Sequence, residues 1–202
     1  MAENASYFTG HALKETLLKA RGFDAKTGAR SGGIKQPVQT SIPVGTVLLR
    51  TYQDPAYLFG GWWFTPYEMS QIIAYFAVDS NSFSKGRPSG KGVLQGTLAV
   101  RHEWGNNSPA HMGTIAAVRT TKPLVAMVGE SDSAADSTQT KNLKPIQISD
   151  RSGNRRNVRQ VFLPSAFNYK TSFVILERDL PSDTDLFRLV NDYNKGPAPF
   201  ES

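Results

Sequence analysis

The feature that most constrains the fold is a helix start placed directly after an aromatic strand. Thr65 and Glu68 stand three residues apart, as in a capping box, and Pro66 occupies the first helical position, where its missing N–H costs no hydrogen bond. Apolar residues then recur with the spacing of one buried helical face, at Met69, Ile72, Ile73 and Phe76. This pattern predicts a helix over residues 66–76 that buries one face.

The segments on either side of this helix have the composition of short strands. Runs rich in β-branched or aromatic residues, bounded by Gly, Pro or Asn, predict strands at residues 47–51, 61–64, 93–100, 115–119, 123–128, 158–163 and 172–176. Strands and helices do not alternate regularly, as they would in a doubly wound parallel sheet. We therefore expect an α+β domain with a mainly antiparallel sheet and few helices.

The first forty residues lack the strand-like runs that make up most of the rest of the chain. Leu13, Thr16, Leu17 and Ala20 form a short helical stripe that predicts a helix over residues 10–21. Three glycines then fall between residues 27 and 33, which is typical of a flexible segment. We expect an N-terminal helical arm and linker at residues 1–42 and a main domain at residues 43–202.

Composition excludes several classes of site. The 202 residues include no cysteine, which excludes disulfides, thiolate metal sites and a cysteine nucleophile. The three histidines have no partners at ligand spacing, so we expect no metal. No run approaches the ~18 apolar residues of a membrane span, and the N-terminus lacks a basic region followed by an apolar core. We expect no membrane partner, and a protein that is cytoplasmic or exported without a cleaved signal peptide.

The positive charge of the chain is concentrated in one segment. Of a net charge of +6, residues 141–159 carry six basic residues against the single acid Asp150. Such a segment can dock an acidic macromolecular acceptor, either protein or nucleic acid. A solvated basic loop is the alternative that the sequence leaves open, because no stacking platform of aromatics stands nearby.

A candidate ligand site lies between residues 48 and 76. Arg50 follows an apolar run, and an aromatic segment that begins with two glycines comes next and ends at Thr65. A guanidinium presents the planar fork that suits a phosphate, and a helix start offers unpaired N–H groups to an anion. The combination predicts a pocket for a phosphate-bearing aromatic ligand.

This order of motifs resembles the ADP-ribosyltransferase fold, which binds NAD. The resemblance rests on an arginine that ends the first core strand, on a second strand that closes in an aromatic-Ser/Thr motif, and on a following helix with an aromatic near its end. It implies NAD as co-substrate, without a metal, and Arg50 on the NAD phosphates. It also implies an aromatic stacked on nicotinamide. The NAD-binding residues implied are Arg50, Thr51, Tyr52, Gly61, Trp63, Phe64, Thr65 and Tyr75.

The late strand at residues 158–164 is similar to the segment that carries the catalytic glutamate in that family, and Gln160 occupies the glutamate's position. NAD glycohydrolase toxins of the same fold can use a glutamine there. The resemblance therefore implies an NAD-consuming toxin or effector, a transferase or a glycohydrolase, with Gln160 and Arg50 as catalytic residues. Glu177 or Glu103 is the alternative acid. The alternative functions are a basic nucleic-acid-binding module and a catalytically silent interaction domain.

Overall fold

The computed structural model describes residues 1–23, 33–52, 56, 58–78, 114–132, 147–149, 154–198 and 200. The helices among them are α1 (Gly10–Ala20), α2 (Pro66–Val78) and α3 (Ser182–Tyr193), with 3-10 turns at Ala5–Phe8 and Ala166–Ser172. The strands are β1 (Val38–Ile42), β2 (Val47–Tyr52), β3 (Trp62–Trp63), β4 (Thr114–Thr120), β5 (Leu124–Glu130), β6 (Ile148–Ser149), β7 (Arg155–Arg156), β8 (Arg159–Phe162) and β9 (Phe173–Pro181).

The strands form two larger sheets and one small hairpin-like pair. The first sheet has the order β1-β5-β8-β3, the second sheet has the order β2-β4-β9, and β6 pairs with β7. Every pairing between these named strands is antiparallel. The edge strands of the two larger sheets meet at one bridge, where Leu49 and Phe64 exchange main-chain hydrogen bonds of 2.8 and 3.0 Å.

The two larger sheets pack face to face around an inter-sheet core. This core joins Leu48 and Val118 of the second sheet to Trp63 and Val161 of the first sheet. We call the sheet faces that enclose it the inner faces. The outer face of the second sheet packs on α2 and α3 through Leu49, Ile72 and Leu189, among others. The outer face of the first sheet packs on the N-terminal region through Phe8, Ala20, Ile34, Met127 and Phe162.

The N-terminal region is joined closely to the first sheet. The Asn4 side chain donates to the Val125 carbonyl at 2.7 Å and accepts the Val125 N–H at 2.8 Å, in the manner of a strand partner. Strand β1 lies inside the stretch assigned to the arm, yet it pairs along its whole length with β5. The sheet therefore begins at Val38, before the residue at which we expected the main domain to start.

The predicted class is confirmed, whereas the finer family assignment stays a prediction. The described strands overlap all of those predicted except the one at residues 93–100, which lies outside the described residues. Both predicted helices are present. Sequence reasoning missed β1, the short pair β6–β7 and α3, although Leu186, Leu189 and Val190 carry the helical spacing of a buried face. Within the described ranges, no helix is both long enough and apolar enough to cross a bilayer.

Candidate active site

Arg50 lies on the inner face of β2, next to the Leu49–Phe64 bridge between the two sheets. Its Nη1 donates to the Trp62 carbonyl at 2.6 Å, and its Cζ lies 5.7 Å from the centre of the Trp63 ring. Burial lowers the pKa of Arg50 to about 10, so the guanidinium keeps its charge at neutral pH. The strand and the aromatic segment that the sequence singled out therefore do come together around a half-buried cation.

Gly60 shapes the space around this cation. A Cβ atom at position 60 would overlap the Cζ and Nη2 of Arg50, so any other residue would displace the guanidinium. The Gly60 carbonyl accepts the indole N–H of Trp63 at 2.8 Å, which fixes the ring beneath the arginine. Gly61 has a different role, because a Cβ there would meet the Phe162 ring at 2.7 Å. The absence of a side chain at Gly60 therefore leaves space for the Arg50 guanidinium, and its absence at Gly61 leaves space for the Phe162 ring.

The aromatic residues expected to stack on a ligand are mostly core residues. Trp63 is 1% exposed and stacks on Phe173 at 5.8 Å, whereas Phe64 is 3% exposed and packs against the helices on the outer face of the second sheet. The Tyr75 side chain lies outside the described residues. Trp63 and Phe64 therefore offer no open ring face. Phe59, which sequence reasoning missed, is half-buried. Its ring centre lies 5.8 Å from that of Phe173, and it also packs on the cluster of Tyr52, Leu58 and Ala116.

Tyr52 and Thr51 occupy opposite faces of β2, as successive strand residues do. Tyr52 shares the inner face with Arg50, and its hydroxyl donates to Oδ1 of Asp179 at 2.9 Å and accepts the Asp179 N–H at 2.7 Å. Burial is the main cause that raises the pKa of Tyr52 to about 12. Thr51 faces away from this site, opposite Ile115 of the outer core. Of these two residues predicted to bind NAD, only Tyr52 lies on the same face of the sheet as Arg50.

Gln160 lies on the outer face of the first sheet, whereas Arg50 lies on the inner face of the second sheet. It pairs with Gly129, where a Cβ would point at Ile34 of the outer core. Cross-strand partners share a face, so the buried Gln160 side chain lies on that outer face with Phe162, while Val161 faces the inter-sheet core. The expectation that Arg50 and Gln160 line one pocket is not met, because alternation along β8 turns Gln160 away.

Thr65 caps α2 as predicted, but Glu68 has a partner that the capping box does not foresee. The Thr65 hydroxyl accepts the Glu68 N–H at 3.1 Å. The Glu68 carboxylate, 1% exposed, receives both Nη groups of Arg156 at 2.7 and 2.8 Å and the Arg159 N–H at 2.9 Å. Burial alone would lower the pKa of Arg156, but the hydrogen bonds and charge of Glu68 raise it above its usual value.

This ion pair engages one of the six basic residues of the segment 141–159, and docking of an acidic acceptor on that segment stays a prediction. Arg156 binds Glu68, and among the basic residues of this segment that the structure describes, only Arg155 is exposed. Arg159 lines a cleft of about 470 Å³ together with Lys35, Gln36, Glu130 and Phe200. Lys141, Lys144 and Arg151 lie outside the described residues.

Glu177, one of the two alternative acids, is bound to α3. Glu177 accepts both Nη groups of Arg188 at 2.6 and 3.1 Å and the Tyr193 hydroxyl at 3.0 Å. Its pKa is lowered, chiefly by the hydrogen bond from Arg188. These partners lie on α3, so Glu177 ties β9 to that helix. Glu103 lies outside the described residues, within which no group of three acidic or histidine side chains could hold a metal ion.

Comparison with known proteins gives a weak likeness in fold. The chain matches no protein-family model and no curated protein. A solved structure of Rhs1-CT in complex with its cognate immunity protein RhsI1 is similar over 78% of this chain and 87% of that chain, at 13% identity and a TM-score of 0.44.

Two further structures have lower scores. The structure of Tne2 in complex with Tni2 is similar over 71% of this chain and 92% of that chain, at 13% identity and a TM-score of 0.38. That of Tse6 in complex with Tsi6 is similar over 87% and 92%, at 16% identity and a TM-score of 0.35. Such scores do not define a family, so the function is argued from the residues of this chain.

Proposed function

We propose that this chain is an NAD-consuming enzyme that cleaves the bond between nicotinamide and ribose. It passes the ADP-ribose to water or to a macromolecular acceptor, and acts as a toxin or effector. The observation that carries the proposal is the half-buried Arg50 guanidinium, held against Trp62 and Trp63 beside the Leu49–Phe64 bridge between the two sheets.

The diphosphate of NAD suits this cation for a physical reason. Burial lowers the pKa of Arg50, which means that the charged form is poorly solvated where it lies. A diphosphate supplies charge-assisted hydrogen bonds to such a group and stabilises its charged form. Two bonds of this kind contribute about 3 kcal/mol to binding, or about 150-fold in affinity.

The remaining parts of NAD need an aromatic surface and partners for the ribose. Phe59 is the half-buried aromatic residue that packs beside Tyr52, so it takes the role on nicotinamide that the resemblance gave to Trp63, Phe64 or Tyr75. The inner-face position of Tyr52 places a hydroxyl in the same cluster. Gln160 faces the other side of the sheet, so the proposal does not depend on it.

The test is an assay of NAD loss with the purified full chain that resolves nicotinamide, free ADP-ribose and labelled macromolecule. We compare wild type with Arg50→Ala and Arg50→Lys, and use Arg119→Ala as the matched control. Arg119 is an exposed arginine on the neighbouring strand β4. We expect Arg50→Ala to lose at least about 100-fold in affinity for NAD, and Arg50→Lys to recover little because the planar fork is lost.

The outcomes separate the proposal from its two alternatives. Turnover by wild type and Arg119→Ala, with loss in Arg50→Ala, supports an NAD-consuming site at Arg50. Wild-type affinity for NAD in Arg50→Ala refutes the placement of the diphosphate. A wild-type chain that leaves NAD intact refutes the activity. Salt-dependent binding of DNA or RNA then favours a nucleic-acid-binding module. The absence of both activities favours a silent interaction domain.

A further inference from the structure

We propose that the cleft lined by Lys35, Glu130, Arg159 and Phe200 binds one nucleotide of a single-stranded nucleic acid. This inference goes beyond the proposed function, because it concerns a second ligand at a second site and its test does not depend on NAD turnover. The sequence has no aromatic platform beside the basic segment 141–159. The fold supplies one, because it brings Phe200 next to Arg159, the last residue of that segment.

The floor of the cleft is one end of the inner face of the first sheet. Val38 pairs with Val128, and Val128 pairs with Val161, so these three side chains form one row on that face. Two residues further along β5, Glu130 pairs with Arg159. Strand alternation therefore places Glu130 and Arg159 on the same face as Val128 and Val161, in a second row.

Lys35 adds a second cation to the row of charges. Its main-chain N–H donates to the Glu130 carbonyl at 2.9 Å, which continues the pairing of this part of the chain with β5. The neighbouring Ile34 packs in the outer core, so the Lys35 side chain points to the inner side, where it lines the cleft. Lys35 and Arg159 therefore flank Glu130 from opposite sides, about 10 Å apart between main chains.

Phe200 gives the cleft a planar wall. It follows α3 in the chain, is half-buried, and packs against the inter-sheet core that contains Val128. Val38 lines the same cleft and is 63% exposed, so folding leaves its apolar side chain in contact with solvent. The volume of about 470 Å³ lies within the range of ~300–1,000 Å³ that is typical of ligand pockets. The cleft therefore has room for a planar ring between apolar side chains.

A nucleotide carries the three groups that these side chains match. Its phosphate accepts charge-assisted hydrogen bonds from Lys35 and Arg159, its base packs on Phe200, and an N–H on the edge of the base donates to Glu130. An acidic peptide segment supplies only the anion, and Glu130 repels it. The base must be unpaired to enter, which favours a single strand over a duplex. The net charge of +6 favours a polyanion over a free mononucleotide.

The experiment measures binding of a labelled oligocytidine RNA of about ten nucleotides to the full chain, by fluorescence anisotropy over a series of salt concentrations. The variants Lys35→Ala, Arg159→Ala, Glu130→Ala and Phe200→Ala each remove one side chain of the cleft.

The matched controls are Lys170→Ala and Phe167→Ala. Lys170 lies 4.6 Å from the centre of the Phe167 ring, and both residues are exposed in the 3-10 turn at Ala166–Ser172. Urea unfolding of each variant shows whether it is folded. Lys35 is exposed, so its removal tests the cleft even if Phe200→Ala fails to fold.

We expect Phe200→Ala to weaken RNA binding about tenfold, as for the loss of one stacked base. Lys35→Ala and Arg159→Ala should each weaken it about threefold and reduce the slope of log affinity against log salt by about 0.7. Glu130→Ala should also weaken binding about threefold, whereas loss of a carboxylate from a site that only attracts anions would strengthen it. Both control variants should bind like wild type.

Several results would overturn this inference. They are a wild type that does not bind the RNA, a folded Lys35→Ala that binds like wild type, losses in the controls equal to those in the cleft variants, and tighter binding in Glu130→Ala. A labelled decaglutamate peptide that binds as tightly as the RNA, with the same losses, would assign the cleft to an acidic protein segment instead.

Calorimetry with NAD separates this inference from the proposed function. Lys35→Ala and Phe200→Ala should keep wild-type affinity for NAD. A loss of NAD affinity in both, comparable to that in Arg50→Ala, would place part of NAD in the cleft and overturn the second site. A wild type that binds RNA through these residues but does not consume NAD refutes the proposed function and leaves this inference standing.

Discussion

Removing the Glu68 carboxylate should destabilise the protein strongly, although sequence reasoning saw this residue only as part of a helix cap. Glu68 is 1% exposed and accepts three hydrogen bonds, two from the guanidinium of Arg156 and one from the Arg159 N–H. Glu68→Ala leaves Arg156 without this partner and leaves a main-chain N–H of β8 unpaired.

The expected magnitude follows from burial on both sides. Breaking a buried ion pair by removing one partner costs about 3–5 kcal/mol. The Arg156 side chain is 17% exposed, so water partly solvates the stranded charge and the cost should lie near the lower end, at about 3 kcal/mol. Arg156→Ala should cost a similar amount, because it strands the buried carboxylate.

The measurement is equilibrium unfolding in urea, followed by tryptophan fluorescence, for the two single variants and the double variant Glu68→Ala/Arg156→Ala. The double variant should cost less than the sum of the singles, with a coupling of about 2 kcal/mol. Glu3→Ala provides the control, because the Glu3–Lys122 pair has side chains 40% and 46% exposed and should contribute less than about 1 kcal/mol. The reasoning would be refuted if each single variant lost less than about 1 kcal/mol of unfolding free energy and the double variant showed no coupling.

Three further predictions concern the proposed site. Gly60→Ala should displace the guanidinium and weaken NAD binding about tenfold, measured by calorimetry; unchanged affinity would mean that Arg50 does not hold the ligand. Phe59→Ala should raise KM for NAD about tenfold, whereas Phe167→Ala, which changes an aromatic that is 55% exposed, should leave KM unchanged; equal KM values in the two would argue against stacking at Phe59. Burial raises the pKa of Tyr52 to about 12, so its contribution to stability should be complete below pH ~10 and lost as the pH rises from ~10 to ~12. Urea unfolding at pH 9 and 11 measures this loss, and Tyr52→Phe should not show it.

Local signals in the sequence predict local structure well in this chain. The start of α2 was readable because the cap, the proline and the apolar spacing are all encoded within a dozen residues, and Thr65 caps the helix as expected. Strands β2, β4 and β5 were readable from their β-branched and apolar runs. Each of these features depends on neighbours in the chain.

Features that depend on distant residues were not readable. Glu68 and Arg156 are 88 positions apart, and no pattern near either residue indicates that they pair. Arg156 therefore read as one more charge in a basic segment, whereas it joins α2 to the start of β8. Strand β1 was missed for a similar reason, since Val38–Ile42 has three consecutive polar residues in its middle and its pairing with β5 is what makes it a strand.

The faces of the strands decide which residues can form one site, and a motif does not reveal them. On β8, Val161 enters the inter-sheet core and Phe162 the outer core, so a shift of one residue in register would exchange the faces of Gln160 and Arg159. The resemblance placed Gln160 by its position before the Val-Phe-Leu-Pro ending, which fixes the order along the strand but not the face. With Gln160 on the outer face, a carboxylate that serves Arg50 has to come from another strand of the inner face.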